Sequence, residues 1–120
     1  MKRLLVVEDD ADLRMLYTEE FRDEGFAVWT ADSAEAALDL ARCRPIDIVV
    51  LDICLGGASG LDLMRRLLIQ NPGLPIVVNS AYPAYKSDFG AWAADAYVVK
   101  TSDVSELKET VRDLLAQRAA

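Results

Sequence analysis

Short apolar runs separated by amphipathic stretches set the pattern of this chain. The central run, residues 46–51 (IDIVVL), is broken only by Asp47 and stops at Asp52. A loop with Gly56, Gly57 and Gly60 follows. A β-branched run without polar alternation is the signature of a strand buried on both faces. Residues 3–7 (RLLVV) repeat the design and give way to Glu8, Asp9 and Asp10. Residues 27–31 (AVWTA), 75–78 (PIVV) and 96–99 (AYVV) supply three more short strands. The run at 75–78 ends at Asn79 and Ser80, and that at 96–99 ends at Lys100.

The intervening stretches have helical spacing. Residues 12–24 place Leu13, Leu16, Tyr17 and Phe21 on one stripe, with Arg14, Glu19 and Arg22 outside. Gly25 follows as a helix-ending glycine. Ser33 is positioned to cap a second helix on which Ala34, Ala37, Leu38 and Ala41 share a face, and Pro45 closes the connection. Residues 61–70 turn Leu61, Met64, Leu67 and Leu68 inward and stop at Asn71, Pro72 and Gly73. In residues 82–94, Tyr85, Phe89 and Trp92 keep helical spacing, but Gly90 costs about 1 kcal/mol in a helix interior. A short or irregular helix with its aromatics in the core is expected there. Asp103 and Glu106 form a capping-box-like start to a last helix striped by Leu107, Val111, Leu114 and Leu115. Five strands alternating with five helices predict an α/β fold: a parallel sheet with helices on both faces and right-handed crossovers.

With 120 residues, 52% of them hydrophobic, the chain suits one domain, 1–120, with a real core. The formal net charge is −7 and its Lys and Arg are scattered, so direct nucleic-acid binding is not expected; cations or basic partner surfaces suit it better. There is no histidine, which excludes a Ser-His-Asp or Cys-His site and an internal phosphohistidine. Cys43 and Cys54 fit neither a zinc spacing nor a disulfide framework. The first apolar run is too short for a signal peptide and none approaches membrane-spanning length, so a cytoplasmic location without membrane contact is expected.

A parallel sheet gathers all strand C-termini on one edge. Glu8 and Asp9, Asp52, Ser80 and Lys100 then converge, with the first and third strands adjacent at the switch point. Three carboxylates in one place repel and need a cation. Oxygen-only donors select Mg²⁺ or a similar hard ion such as Mn²⁺, and the backbone carbonyl of Cys54 could add another oxygen. Taken singly, a strand-end Asp or Ser forms a turn and a strand-end Lys is a solvated charge. Together, metal, lysine and hydroxyl make an electrostatic clamp for a phosphoryl group, with Asp52 the carboxylate best placed to attack it.

These motifs resemble those of bacterial two-component response regulator receiver domains. The resemblance covers essentially the whole chain and rests on LLVVEDD, VVLDICLGGASG, VVNSA and AYVVK in that order. It implies a flavodoxin-like, doubly wound sheet of strand order 2-1-3-4-5. It also implies Asp52 as phosphoacceptor, Asp9 as direct metal ligand, Glu8 assisting the metal through water, and the Cys54 carbonyl as a further ligand. Ser80 would hold a phosphoryl oxygen, Lys100 would reach phosphoryl and carboxylate, and Tyr97 matches the family's aromatic switch. The implied donor is a sensor histidine kinase or a histidine phosphotransfer protein. The implied output is a downstream protein or an effector domain beyond this chain. Catalysis is confined to the domain's own phosphorylation and dephosphorylation.

Three departures stand out. Thr101 follows Lys100 where the family usually has a cis proline, so either a trans bond or a strained cis bond is expected. Gly56 replaces a common proline, and the segment 82–94 is short and glycine-interrupted. They motivate an alternative, a degenerate receiver that binds partners independently of phosphorylation. A haloacid-dehalogenase-like phosphatase wants an acid where Cys54 stands. A flavodoxin wants a hydroxyl-rich phosphate loop where Glu8, Asp9 and Asp10 stand.

Overall fold

The structure, a computed structural model, describes residues 1–52, 54–55, 58–81, 94–101 and 103–119. The elements run β1 (Arg3–Val7), α1 (Ala11–Asp23), β2 (Ala27–Ala31), α2 (Ala34–Cys43), β3 (Ile48–Leu51), β4 (Cys54–Leu55), β5 (Ala58–Ser59), α3 (Gly60–Gln70), β6 (Ile76–Ser80), β7 (Ala96–Val99) and α4 (Ser105–Ala119). Five strands form one parallel sheet in the order β2-β1-β3-β6-β7. This is the expected 2-1-3-4-5 topology, because β4 and β5 stand apart as a two-residue antiparallel pair. That pair was not anticipated: residues after Asp52 read as loop.

Alternation along the strands divides the core into two layers. Leu5, Val7, Val49, Leu51, Ile76, Val78 and Tyr97 pack with Ala37 and Leu38 of α2 and Leu63, Met64 and Leu67 of α3. Leu4, Val6, Ile48, Val50, Val77 and Val98 pack with Tyr17 and Phe21 of α1 and Leu107 and Val111 of α4. The helical stripes are as expected, except that Leu63 is wholly buried where Leu61 and Leu68 are only partly so.

Helix ends follow local chemistry. The Asp10 carboxylate accepts from the backbone N–H groups of Asp12 and Leu13, which starts α1 at Ala11. Gly25, at φ +93°, lets the chain leave α1 in the left-handed region. Ser33 caps α2 by accepting from the Ala36 N–H. The expected capping box at Asp103 is displaced: α4 begins at Ser105, whose N–H donates to Asp103 Oδ1. Asp47, the break in the central run, lies before β3, where its carboxylate accepts from the Arg3 N–H at 2.7 Å.

No peptide bond among the described residues is cis, so Lys100–Thr101 is trans. Residues 82–93, with the expected irregular helix and its aromatics Tyr85, Phe89 and Trp92, lie outside the described residues, as does Gly56. No helix among the described residues is long and apolar enough to cross a membrane.

Candidate metal centre

Three strand ends build the site. Hydrogen bonds of the sheet carry on just past β1 and β3: the Glu8 N–H donates to the Ala31 carbonyl and the Asp52 N–H to the Val7 carbonyl, each at 3.0 Å. These bonds fix the backbone from which the two carboxylates project. Glu8 is 2% exposed and Asp52 6%, whereas Asp9 is exposed. One oxygen from each of Glu8, Asp9 and Asp52 can be chosen so that all lie within 4.8 Å of one another, a donor set able to hold a metal ion.

Lys100, just beyond β7, closes the group. Its ammonium stands 2.6 Å from Glu8 Oε1 and 3.1 Å from Asp52 Oδ2. Burial pushes the Glu8 carboxyl above the usual range, outweighing the hydrogen bond and charge of Lys100 that pull it down. Burial works against the charge of Lys100 as well, but its bond to Glu8 and the charge of Asp52 prevail and raise it. In this arrangement the lysine is the counter-charge of the buried acids.

The acidic turn is tied from α1. Arg14, expected on the outer face, donates from Nη1 to the carbonyls of Glu8 (2.9 Å) and Asp9 (3.4 Å), and the Asp10 N–H donates to Glu8 Oε2 (3.3 Å). Helical spacing alone does not reveal this role, since the guanidinium reaches back past the N-terminus of its own helix.

The remaining candidates are placed as follows. Ser80 ends β6, fully buried, with its carbonyl accepting from the Lys100 N–H at 2.7 Å. Tyr97 lies in β7, 5% exposed. Its ring belongs to the layer beneath α2 and α3, the face that Ser80 also takes by alternation from Val78. Cys54 opens β4 two residues after Asp52 and pairs with Ser59.

Sequence reading passed over Asn79. It is 2% exposed, and its amide nitrogen Nδ2 has no hydrogen-bond partner. The available signal was a polar residue within a strand buried on both faces.

The family model of the response regulator receiver domain matches residues 4–112. The chain is 35% identical over 114 residues to the probable transcriptional regulatory protein TcrX of Mycobacterium tuberculosis, covering 93% of this chain and 49% of that protein. It is 33% identical over 120 residues to the transcriptional regulatory protein CusR of Escherichia coli, covering 98% and 53% respectively. The chain thus spans about half the length of these curated relatives. Among solved structures, TrrA of Thermotoga maritima in complex with Mg(2+)-BeF has a TM-score of 0.89 at 41% identity, covering 95% of this chain and 99% of that one. TrrA in complex with the histidine kinase ThkA gives 0.88 at 42% identity, covering 96% and 99%.

Proposed function

The chain belongs to the response regulator receiver family, and from that premise we propose that it accepts a phosphoryl group on Asp52 in a Mg²⁺-dependent reaction and switches conformation to signal. The observation that carries this reading is the convergence of Glu8, Asp9 and Asp52 within 4.8 Å, with Lys100 bridging the two buried acids. Residues 1–120 then act as one phosphoacceptor domain.

The residues fit a divalent ion. Their donors are carboxylate oxygens, with no imidazole anywhere in the chain, and the partly exposed edge at Asp9 offers a way in. Glu8, Asp9 and Asp52 would hold Mg²⁺ (or Mn²⁺) with the Cys54 carbonyl. The bound ion supplies positive charge to the phosphoryl oxygens. Everything else falls to the chain. An Asp52 carboxylate oxygen attacks phosphorus; the new O–P bond forms as the N–P bond of a phosphohistidine breaks, and the imidazole nitrogen leaves with the bonding pair. Lys100 exchanges a carboxylate contact for a phosphoryl oxygen. The Ser80 hydroxyl donates to another, and Tyr97 follows the serine inward. Hydrolysis of the acyl phosphate resets the domain, and that self-limited chemistry is its only catalysis.

The absence of histidine from this chain agrees with a donor outside it. A sensor histidine kinase or a histidine phosphotransfer protein fits, in keeping with the ThkA complex of TrrA. The reader of the switch is a downstream protein or an effector domain, in keeping with relatives about twice as long. A phosphorylation-independent module, suggested by Thr101, has less support, because the trans bond leaves the Lys100 ammonium on both acids.

Acetyl phosphate with Mg²⁺ should phosphorylate the protein but not Asp52→Asn, as read by intact mass. Equal mass gain in the two proteins would overturn the assignment.

A further inference from the structure

Asn79 belongs to the same row of side chains as the acids. In β1, β3 and β6, residues Val6, Val50 and Val77 face α1 and α4, whereas Val7, Leu51 and Val78 face α2 and α3. Alternation carries the next residues, Glu8, Asp52 and Asn79, back to the α1 side. Register agrees, because Leu51 pairs with Val78, so Asp52 and Asn79 follow level with one another on adjacent strands. Adjacent strands lie about 4.8 Å apart, within reach of an amide side chain. Tyr17 of α1 lies over this row. Its phenol lies close enough to the Asn79 side chain to feel it as a donor, though Nδ2 forms no well-aligned hydrogen bond there, and it also feels the charges of Lys100, Glu8 and Asp52.

A buried donor without a partner costs roughly 1–3 kcal/mol, and a Leu of nearly the same shape would avoid that cost. The price is kept beside the one carboxylate whose oxygens gain a new substituent in the reaction. We propose that Asn79 is a positioning residue of the phosphoacceptor site, its Nδ2 held beside Tyr17 as a donor that pairs with an Asp52 side-chain oxygen once the site is loaded. The proposal rests on the phosphoacceptor reading above and adds a residue to it. Lys100 donates to Asp52 Oδ2 in the present state. When the lysine turns to a phosphoryl oxygen, the carboxyl group loses that donor and Asn79 replaces it.

The test uses the whole chain, beryllofluoride as the phosphoryl mimic, and the variants Asn79→Leu and Tyr17→Phe. In metal-free buffer, Asn79→Leu should unfold at higher urea than the wild type, because the unpaired amide is gone. Its affinity for Mg²⁺ alone should be unchanged. Its affinity for beryllofluoride in saturating Mg²⁺ should fall about tenfold, the equivalent of one lost hydrogen bond. Tyr17→Phe, which keeps the amide but loosens its seat, should weaken beryllofluoride binding less and leave Mg²⁺ binding intact. Unchanged beryllofluoride affinity in both variants would overturn the role of Asn79 while leaving Asp52 as phosphoacceptor. Failure of the wild type to bind beryllofluoride with Mg²⁺ would overturn the phosphoacceptor reading, and the role of Asn79 with it.

Discussion

The two faces of the sheet are built from the same strands, yet they end differently. Beneath α2 and α3 the layer stays apolar through Val7, Leu51 and Val78 and then meets the fully buried Ser80. Beneath α1 and α4 the layer runs through Val6, Val50 and Val77 and then becomes Glu8, Asp52 and Asn79, with Lys100 across the two acids. The site is therefore one core layer carried past the strand ends, where hydrocarbon gives way to charge. A carboxylate set into such a layer is partly desolvated by the apolar rows beneath it, and so it depends on a counter-ion. The α1–α4 seam on the outside of that face is held by Lys108–Glu20 at 2.8 Å and by Arg112–Glu24. The charges there remain near water, where pairing contributes little.

The contrast can be broken most forcefully at its apolar base. Phe21 is 1% exposed and meets Phe26 edge-on at 5.6 Å. Phe21→Ala should cost about 3–5 kcal/mol by urea denaturation, as deletion of a buried ring does. A loss below about 1 kcal/mol would mean that this layer does not carry α1. Next comes the counter-charge. Lys100→Met removes the ammonium that pairs with the buried Glu8 and Asp52 and should cost about 3 kcal/mol in metal-free buffer near neutral pH. Added Mg²⁺, or acidification that neutralises the acids, should recover more stability in this variant than in the wild type. A loss no larger than that of Lys108→Ala, on the half-buried seam, would erase the distinction between the two kinds of charge.

The smallest effect concerns Glu8 and pH. Burial raises its folded-state pKa above the unfolded value. The folded chain therefore holds that proton more tightly, and the associated stability is complete below the ordinary glutamate range. It is lost as pH rises through the raised value. Glu8→Gln removes this loss, so in metal-free buffer the variant should gain on the wild type as pH rises above the ordinary glutamate range. Thermal melts across that rise read the gap. A gap that shrinks as pH rises would show that Lys100 more than compensates the burial of Glu8.

Much of this was legible in the residues themselves, and the failures are informative. The strands at Leu4–Val7 and Val49–Leu51 announced themselves because burial on both faces leaves no polar alternation. Asp52 was conspicuous for the same reason, as the charge that ended an apolar run. The role of Arg14 was missed because its target lies in the turn before its own helix. Leu63 was missed because the inward arc of α3 spans Gly60, Leu63, Met64 and Leu67, one residue out of phase with the stripe expected from Leu61 and Leu68. Asn79 went unweighed because a polar residue near a strand end also suits an ordinary turn.

Local periodicity by itself determined the five strands of the main sheet, the four described helices between and after them, the parallel sheet and the gathering of acids and lysine on one edge. Those follow from which residues water rejects and from the pitch of strands and helices, and both are written in neighbouring residues. Only the tertiary structure decided that Glu8 is buried while Asp9 is exposed, that Lys100 reaches Glu8 and Asp52 at once across a trans bond, and that Asn79 stands level with Asp52 beneath Tyr17. Those facts depend on strand register and on groups distant in the chain, and no periodicity among neighbours encodes the distance between them.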